Sequence, residues 1–426
     1  MSRMFSSLAI PNYRNYAIGG LVSNTGVWMQ RTAQSWLVLV TLTNNDARAL
    51  GLVTGLQFLP VLLFSAAGGA LADRFSKRHV MMWTQTVMGI NSLILGVLIT
   101  TGQIQLWMVY VSAFILGTAS AVDAPARQAF VSEMVPKGQL SNAISLNSAS
   151  FNSARLFGPA TAGLVIAAGG TGPVFLIDAA SFAFVLIALA TLNKEQLHPA
   201  PRSTGKGQIR DGLRYVKNRP DVMVIMVIAF MMGTFGMNFQ ITNVLMATEA
   251  FGQGAAQYGM LGSIMAIGSL TAALLSARRS RPRLRHLLIS MAAFTVSSLL
   301  SALAPNFIIF CILLVPVGLT AISTLVTANA LVQMSVAETV RGRVMSLYMM
   351  LLMGGTPIGA PVLGWIGEQF GARWTIGIWV VAMGLTFIVA TSYLMRRDNL
   401  HLSLDHHRPF VTVERNLTDD SIERVE

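Results

Sequence analysis

Twelve apolar runs, each about the length of a bilayer crossing, limit what this chain can become more than any other feature of it. A hydrocarbon core about 30 Å thick needs about 20 apolar residues per helix. Runs of that length, bounded by charges or Pro/Gly loops, cover 15–40, 49–72, 80–101, 104–122, 140–168, 173–193, 222–248, 257–277, 286–304, 307–335, 344–367 and 374–395. We call them spans 1 to 12. Hydrophobic residues make up 53% of the chain and charged residues only 11%, whereas soluble chains carry about 25% charged residues. Most of the surface must therefore meet lipid, and the expected fold is an all-α integral membrane protein of twelve transmembrane helices.

A net charge of +12 would in a soluble domain point to nucleic acid, through phosphate neutralisation and counterion release. The positions of the charges point elsewhere. With the N-terminus in the cytoplasm, the loops after even-numbered spans and both tails lie inside, and basic residues concentrate in cytoplasmic loops. Of the 30 basic residues, all but Arg48 and Arg373 outside and Arg31 and Arg155 within spans fall on that side. The charge thus reads as an orientation signal. It excludes a nucleic-acid partner and puts both termini in the cytoplasm. Cys311, alone in an apolar stretch, excludes a disulfide framework and a cysteine metal site, and no metal is expected. Met1 to Pro11 lacks the layout of a cleavable signal, so the first span is retained.

The one long connection, 194–221, joins two halves, 1–193 and 222–396. It holds a Pro/Ser/Gly-rich stretch, His198 to Gly205, and then Ile209 to Lys217, where Ile209, Leu213 and Val216 recur at helical spacing. That pattern predicts an amphipathic helix on the inner leaflet. The halves look duplicated. Gly158-Pro159-Ala-Thr-Ala-Gly163 in span 5 matches Gly359-Ala-Pro361-Val-Leu-Gly364 in span 11 at an offset of 201, and Gly69-Ala-Leu-Ala72 matches Ala272-Ala-Leu-Leu275 at 203. Transporters are commonly built from such repeats, with the substrate site at the midplane between them. The tail, 397–426, is polar and mixed in charge and is expected to be disordered, its His406-His407 pair included.

Gly69-Ala-Leu-Ala-Asp73-Arg74-Phe-Ser-Lys77-Arg78 joins spans 2 and 3. Small residues allow a close helix approach, Asp73 faces the positive end of the next helix, and Arg74, Lys77 and Arg78 supply counter-charges. Such a set can pair in one conformation and release in another, as a gate latch does. The stretch resembles the loop signature of the major facilitator superfamily, with Ser76 in place of its second glycine. A second block runs through Asp123-Ala-Pro-Ala-Arg127-Gln-Ala-Phe-Val-Ser-Glu133-Met-Val-Pro136 to Arg155-Leu-Phe-Gly158-Pro159. With Arg341-Gly-Arg343, it is similar to the drug:proton antiporter branch that contains enterobactin exporters and macrolide or tetracycline efflux proteins. The resemblance covers 10–396. It implies the major facilitator fold, and an inner gate and charge relay made by Asp73, Arg74, Lys77, Arg78, Asp123 and Arg127. Ser276 to Arg285, the matching loop of the second half, lacks the aspartate, so one working latch is expected. Gly158, Pro159 and Gly163 resemble the span 5 signature of antiporters, although Ala162 replaces one of its glycines.

Three ionisable side chains lie well inside the runs: Arg31, Arg155 and Asp178. Each costs at least a few kcal/mol at mid-bilayer, so each should face a cavity or a partner. They are the candidates for proton coupling, with a static Asp-Arg clamp between helices as the alternative. Polar faces at three-four spacing comprise Asn24, Trp28, Arg31 and Ser35 on span 1, Ser148, Asn152 and Arg155 on span 5, Thr234, Asn238 and Thr242 on span 7, and Asn329 and Gln333 on span 10. From these come the cavity candidates Asn24, Trp28, Asn152, Asn238, Thr242, Asn329 and Gln333, set against ordinary helix-packing hydrogen bonds. Methionines crowd spans 7 and 11 and read first as core filler and second as an adaptable apolar lining.

No nucleotide-binding Gly-x-x-x-x-Gly-Lys-Ser/Thr sequence occurs. The chain is therefore expected to need no cofactor beyond a proton gradient and to act as a monomer. The reading is a secondary exporter of small amphipathic molecules, drugs or siderophores, exchanged for protons by rocking two halves. The competitors are a facilitator or importer without proton antiport, and a non-transporting membrane receptor. An enzyme would need a paired nucleophile and base, or a metal cluster, within the spans.

Overall fold

In lipid a backbone amide finds its partner only within its own helix or a closed barrel, so each apolar run must coil on itself. The computed structural model describes residues 3–197, 209–277, 283–397, 400–404 and 411–415, and almost all of these are helical. Span 1 is Pro11–Trp36, continued by the wider turns Leu37–Leu42. Spans 2 to 6 are Ala47–Arg74, Lys77–Thr100, Leu106–Met134, Leu140–Gly169 and Gly172–Ala190. Span 7 occupies Pro220–Ala250 in four pieces, and spans 8 to 10 are Ala255–Ala277, Leu284–Ala302 and Phe307–Ser335. Span 11 is split into Glu338–Gly354 and Thr356–Phe370, and span 12 is Ala372–Arg397.

Ten of the helices are both long enough and apolar enough to cross a membrane. The other two are spans 1 and 5, of 26 and 30 residues. Their length suffices, and what lowers their hydropathy is the polar faces that include Arg31 and Arg155.

Local sequence sets the ends. Asp46 caps span 2, accepting from the Arg48 and Ala49 amides at 2.8 and 3.2 Å, and Asn306 caps span 10 through the Ile309 amide. Gly170 and Gly371 close spans 5 and 11 at φ of 78° and 88°, where a side chain would be strained.

Helix packing repeats from half to half. In the first, span 2 lies on span 4, span 1 on spans 5 and 6, and span 3 on spans 4 and 6. In the second, span 8 lies on span 10, span 9 on spans 10 and 12, and span 7 on span 11. The halves meet along two crossings, span 5 on span 8 and span 2 on span 11. Both depend on missing side chains. A Cβ on Gly163 would stand 2.6 Å from the Ala255 carbonyl and 3.0 Å from Gly259 Cα. A Cβ on Gly51 would stand 2.6 Å from the Ala360 carbonyl and 3.1 Å from Gly364 Cα. Pro159 fits against Gly262, and Pro361 against Gly55.

The two ends of the bundle differ. At the end opposite the linker, Met29, Ala33, Leu37 and Leu50 of the first half share one core with Phe239, Val244, Leu245 and Ala360 of the second. Trp36 of span 1 stacks on Tyr258 of span 8 there, with centroids 6.0 Å apart and planes at 21°. At the linker end the first half closes on itself: Tyr13, Tyr16, Val80, Met81, Phe130, Met134 and Leu189 form a core with no member from the second half among the described residues.

Several expectations need correction. Span 4 does not stop at 122; it runs on through Pro125 to Met134, because its later polar groups are paired inside the protein. Span 7 is broken rather than continuous, whereas span 11 is interrupted only at Gly355, whose backbone stays helical. Within the tail, Leu400–Leu404 and Val411–Arg415 pair as an antiparallel two-stranded ribbon. The amphipathic helix forms at Ile209–Lys217, and it packs on the linker end of span 11, where Gly212 approaches Arg343. The stretches His198 to Gly205 and 278–282 and the His406-His407 pair lie outside the described residues.

Candidate functional site

At the linker end, the residues gathered by sequence as one latch make separate contacts. Lys77 Nζ meets Glu133 Oε1 at 2.7 Å, tying the start of span 3 to the extension of span 4. Asp123 is buried and takes Thr84 and Gln85 on one oxygen, at 2.7 and 2.8 Å, and Arg127 on the other at 2.9 Å. Arg78 caps span 6, donating to the Leu189 and Ala190 carbonyls at 2.7 and 3.2 Å. Arg74 is exposed, with its guanidinium 5.9 Å from the Phe75 ring centre. Asp73 stands in the last turn of span 2, and its side chain lies outside the described residues. Glu133 is a partner that sequence reasoning quoted without assigning; its place one turn before Pro136, in an otherwise apolar stretch, was the available signal.

Deeper in the first half, spans 1, 2 and 5 bring two cations to one ring. The guanidinium carbons of Arg31 and Arg155 lie 5.2 and 5.7 Å from the Trp28 ring centre. Arg31 also lies 5.9 Å from Phe58 of span 2, and Phe151 of span 5 meets Trp28 edge-on at 5.8 Å. Arg31 Nε is buried without a hydrogen-bond partner. Spans 2 and 5, which make the main contacts with the second half, both contribute to this cluster, through Phe58 and through Phe151 and Arg155.

Asp178 does not join it. Its Oδ2 accepts from Ser92 Oγ at 2.8 Å, while Oδ1 has no partner and faces span 1 where Gly26 leaves room. Among the described residues, neither Arg31 nor Arg155 forms an ion pair with it, so the static Asp-Arg clamp is not the arrangement present. The sequence marks all three as charges inside the runs, but the helices turn Asp178 toward Ser92 of span 3, Arg31 toward Phe58 of span 2 and Arg155 toward Trp28 of span 1.

The second half contributes uncharged groups. Span 7 breaks at Met237 and Asn238, and Asn238 Nδ2 takes up the freed Thr234 carbonyl at 2.7 Å. Gly355 and Gly359 of span 11 allow contact with the Thr234 backbone. Asn238 Oδ1 and Thr242 Oγ1 are buried without partners. Asn329 and Gln333 bond to each other, Asn152 bonds back to the Ser148 carbonyl, and Asn24 is half-buried. Met226 and Met232 are core residues, whereas Met349 and Met353 of span 11 are exposed.

Twelve helices in two like-packed halves, joined by two glycine crossings around uncompensated charges, form a transporter frame. The family model described as transmembrane secretion effector matches residues 2–421. The chain belongs to that family, within the major facilitator superfamily. It is a multi-pass membrane transporter and not an enzyme. The staphyloferrin A transporter of Staphylococcus aureus is 25% identical over 393 residues, covering 90% of this chain and 96% of the relative. Macrolide efflux protein A of Streptococcus pyogenes is 22% identical over 341 residues, covering 78% and 84%. Among solved structures, an inward-facing bacterial homologue of the human lysosomal transporter Spinster superposes with a TM-score of 0.70 at 15% identity, covering 90% of this chain and 98% of that one.

Two apolar grooves of this transporter, about 650 Å³ between spans 2, 3 and 4 and about 570 Å³ between spans 7 and 12, contain none of the cavity candidates. Two contacts carried no sequence signal: Glu368 Oε2 accepts from the Ala47 amide across the halves at 3.2 Å, and Arg373 donates to the Ala302 and Ala304 carbonyls at 2.8 and 2.9 Å.

Proposed function

We propose that the protein is a proton-driven exporter of small amphipathic molecules, drugs or siderophores, and that its two halves rock about the span 5–8 and 2–11 crossings. The observation that carries this reading is the difference between the ends: a core shared by both halves at the end opposite the linker, and at the linker end a core that the first half makes alone. Most basic residues of the sequence belong to the loops and tails of that end, which supports the reading that it faces, with both termini, the cytoplasm of a bacterial plasma membrane. The conformation is then open inward. A substrate entering from the cytoplasm reaches the space between spans 1, 2 and 5 and their counterparts. Closure would bring the linker ends together, where Lys77, Glu133, Asp123 and Arg127 already hold the first half rigid. Glycine at both crossings leaves backbone against backbone, a surface on which the halves can tilt without side chains colliding.

Asp178 supplies the coupling. A buried carboxyl with one unpartnered oxygen changes its interactions when it gains or loses a proton, and its neighbour Gly26 sits on the span that also carries Trp28 and Arg31. Proton arrival at Asp178 and displacement of span 1 are thereby linked. No cofactor takes part, and the working unit is the monomer. The names of the relatives, with efflux in one and a transporter of staphyloferrin A in another, support export of organic molecules.

The test is efflux from proteoliposomes with an imposed pH gradient, using a panel of siderophores, macrolides and cationic dyes. Gradient-dependent efflux of at least one compound is expected. Flux unchanged when an ionophore collapses the gradient overturns the antiport reading.

A further inference from the structure

We propose that Arg31 and Arg155, gathered on the Trp28 ring, form a binding site for substrates that carry carboxylate groups. This rests on the export reading above and narrows its substrate class.

The argument is one of charge accounting. A guanidinium stays charged at every physiological pH, and a charge at membrane depth demands a partner. No described acidic side chain of the spans forms an ion pair with either arginine. Asp123 holds Arg127, Glu133 holds Lys77 and Asp221 holds Arg219. Asp178 takes Ser92, Asp46 caps span 2, and Glu368 takes the Ala47 amide. Glu249 stands beside Glu368 at the end opposite the linker. Asp73, Asp211 and Glu338, whose side chains are not described, belong to the linker end; Asp73 is about 22 Å along its helix from Phe58, at 1.5 Å per residue.

What the cations do have is aromatic: Trp28 for both, and Phe58 for Arg31. Cation-π contact attracts a desolvated guanidinium to the ring face, but it leaves the charge in place and the N–H edges free. Arg31 Nε is buried and unbonded, and the two like charges repel one another. Two planar forks, neither of them hydrogen-bonded among the described residues, match carboxylates, which accept two parallel hydrogen bonds from each. A cationic drug would add a third positive charge. Burial of the cluster is incomplete: Trp28, Arg31, Asn152 and Arg155 are half-buried and Phe151 is exposed.

The experiment titrates citrate, as a tricarboxylate probe, into the full-length protein in nanodiscs at neutral pH by calorimetry, with propane-1,2,3-tricarboxamide as the uncharged comparator and ethidium as the cationic one. Citrate binding is expected without tricarboxamide binding. Arg31→Gln and Arg155→Gln should each weaken it tenfold or more, and Arg31→Lys and Arg155→Lys should restore part of it. Should a glutamine variant fail to fold, the wild type decides through salt: citrate affinity should fall several-fold as ionic strength rises from about 0.05 to about 0.5 M. Absent citrate binding, or binding indifferent to both arginines or to salt, overturns the site. Gradient-driven efflux of ethidium or a macrolide without citrate binding overturns this site and leaves the export reading standing. Arginine-dependent citrate binding with no compound exported upholds the site and overturns the export reading.

Discussion

Ser92 donates its hydroxyl to Oδ2 of Asp178 across 2.8 Å, and Oδ1 of the same carboxyl is left without a partner against span 1. The pair ties span 3 to span 6, and the free oxygen lies where a Cβ on Gly26 would be 2.8 Å away. One protonatable group thus sits at the meeting point of three helices.

Asp178→Asn keeps the size and the acceptor for Ser92 but carries no titrating proton. The expected result is loss of gradient-driven efflux with exchange of substrate across a gradient-free membrane retained. Proteoliposomes loaded on both sides measure the second quantity, and an export rate equal to wild type would make Asp178 a structural group.

The Lys77–Glu133 pair is mostly shielded from water, with 15% and 10% of the two side chains exposed. Contacting charges of this kind couple by ~0.5–3 kcal/mol in double-mutant cycles. Lys77→Glu should therefore destabilise the linker end and reduce transport, and Lys77→Glu with Glu133→Lys should recover much of both. Thermal unfolding in detergent and efflux rate are the two readouts. A double variant no better than the single one would show that the pairing itself is dispensable.

Glycine at the span 5–8 crossing makes a sharper demand. Gly259 lies under the Pro159 carbonyl and 2.9 Å, by its hypothetical Cβ, from Gly163 Cα. Gly259→Ala must push backbone from backbone, and overpacking of this sort costs ~1–3 kcal/mol. A fall in melting temperature and at least a tenfold loss of efflux are expected, while Gly138→Ala, with open space around its position, should behave as wild type. Equal activity in the two variants would remove the crossing from the mechanism.

Much of the fold was readable because lipid leaves the chain few choices. Ile209–Lys217 could be predicted from Leu213 and Val216 alone, and the span limits fell within a few residues wherever a run ended at Pro, Gly or a cluster of arginines. Span 4 escaped because Asp123 and Arg127 read as loop residues, and only the third dimension shows Thr84 and Gln85 waiting for that carboxylate. The candidate site divides in the same way. Composition marked Arg31, Arg155 and Asp178 as expensive, but which of them touch depends on helix rotation, and rotation is fixed by contacts such as Gly158 against Trp28. Glu368 carried no sequence signal, since its partner is a backbone amide in the other half.

That contact yields the last prediction, about closure of the end opposite the linker. Glu368 is exposed, and a carboxylate at a helix N-terminus contributes ~0.3–1 kcal/mol there, a factor of about two to five in population. The Trp36–Tyr258 stack adds apolar burial to an aromatic pairing worth ~0.5–1.5 kcal/mol by itself. Trp36→Ala should therefore open this end more than Glu368→Gln does. Cys311 is the sole cysteine, so Cys311→Ser gives a clean background for spin labels at Asn45 and Gln369, one on each half and both exposed. Pulsed electron resonance should show a longer-distance population that grows slightly in Glu368→Gln and strongly in Trp36→Ala. Identical distance distributions in all three proteins would mean that neither contact holds the halves together, and that closure there rests on the glycine crossings alone.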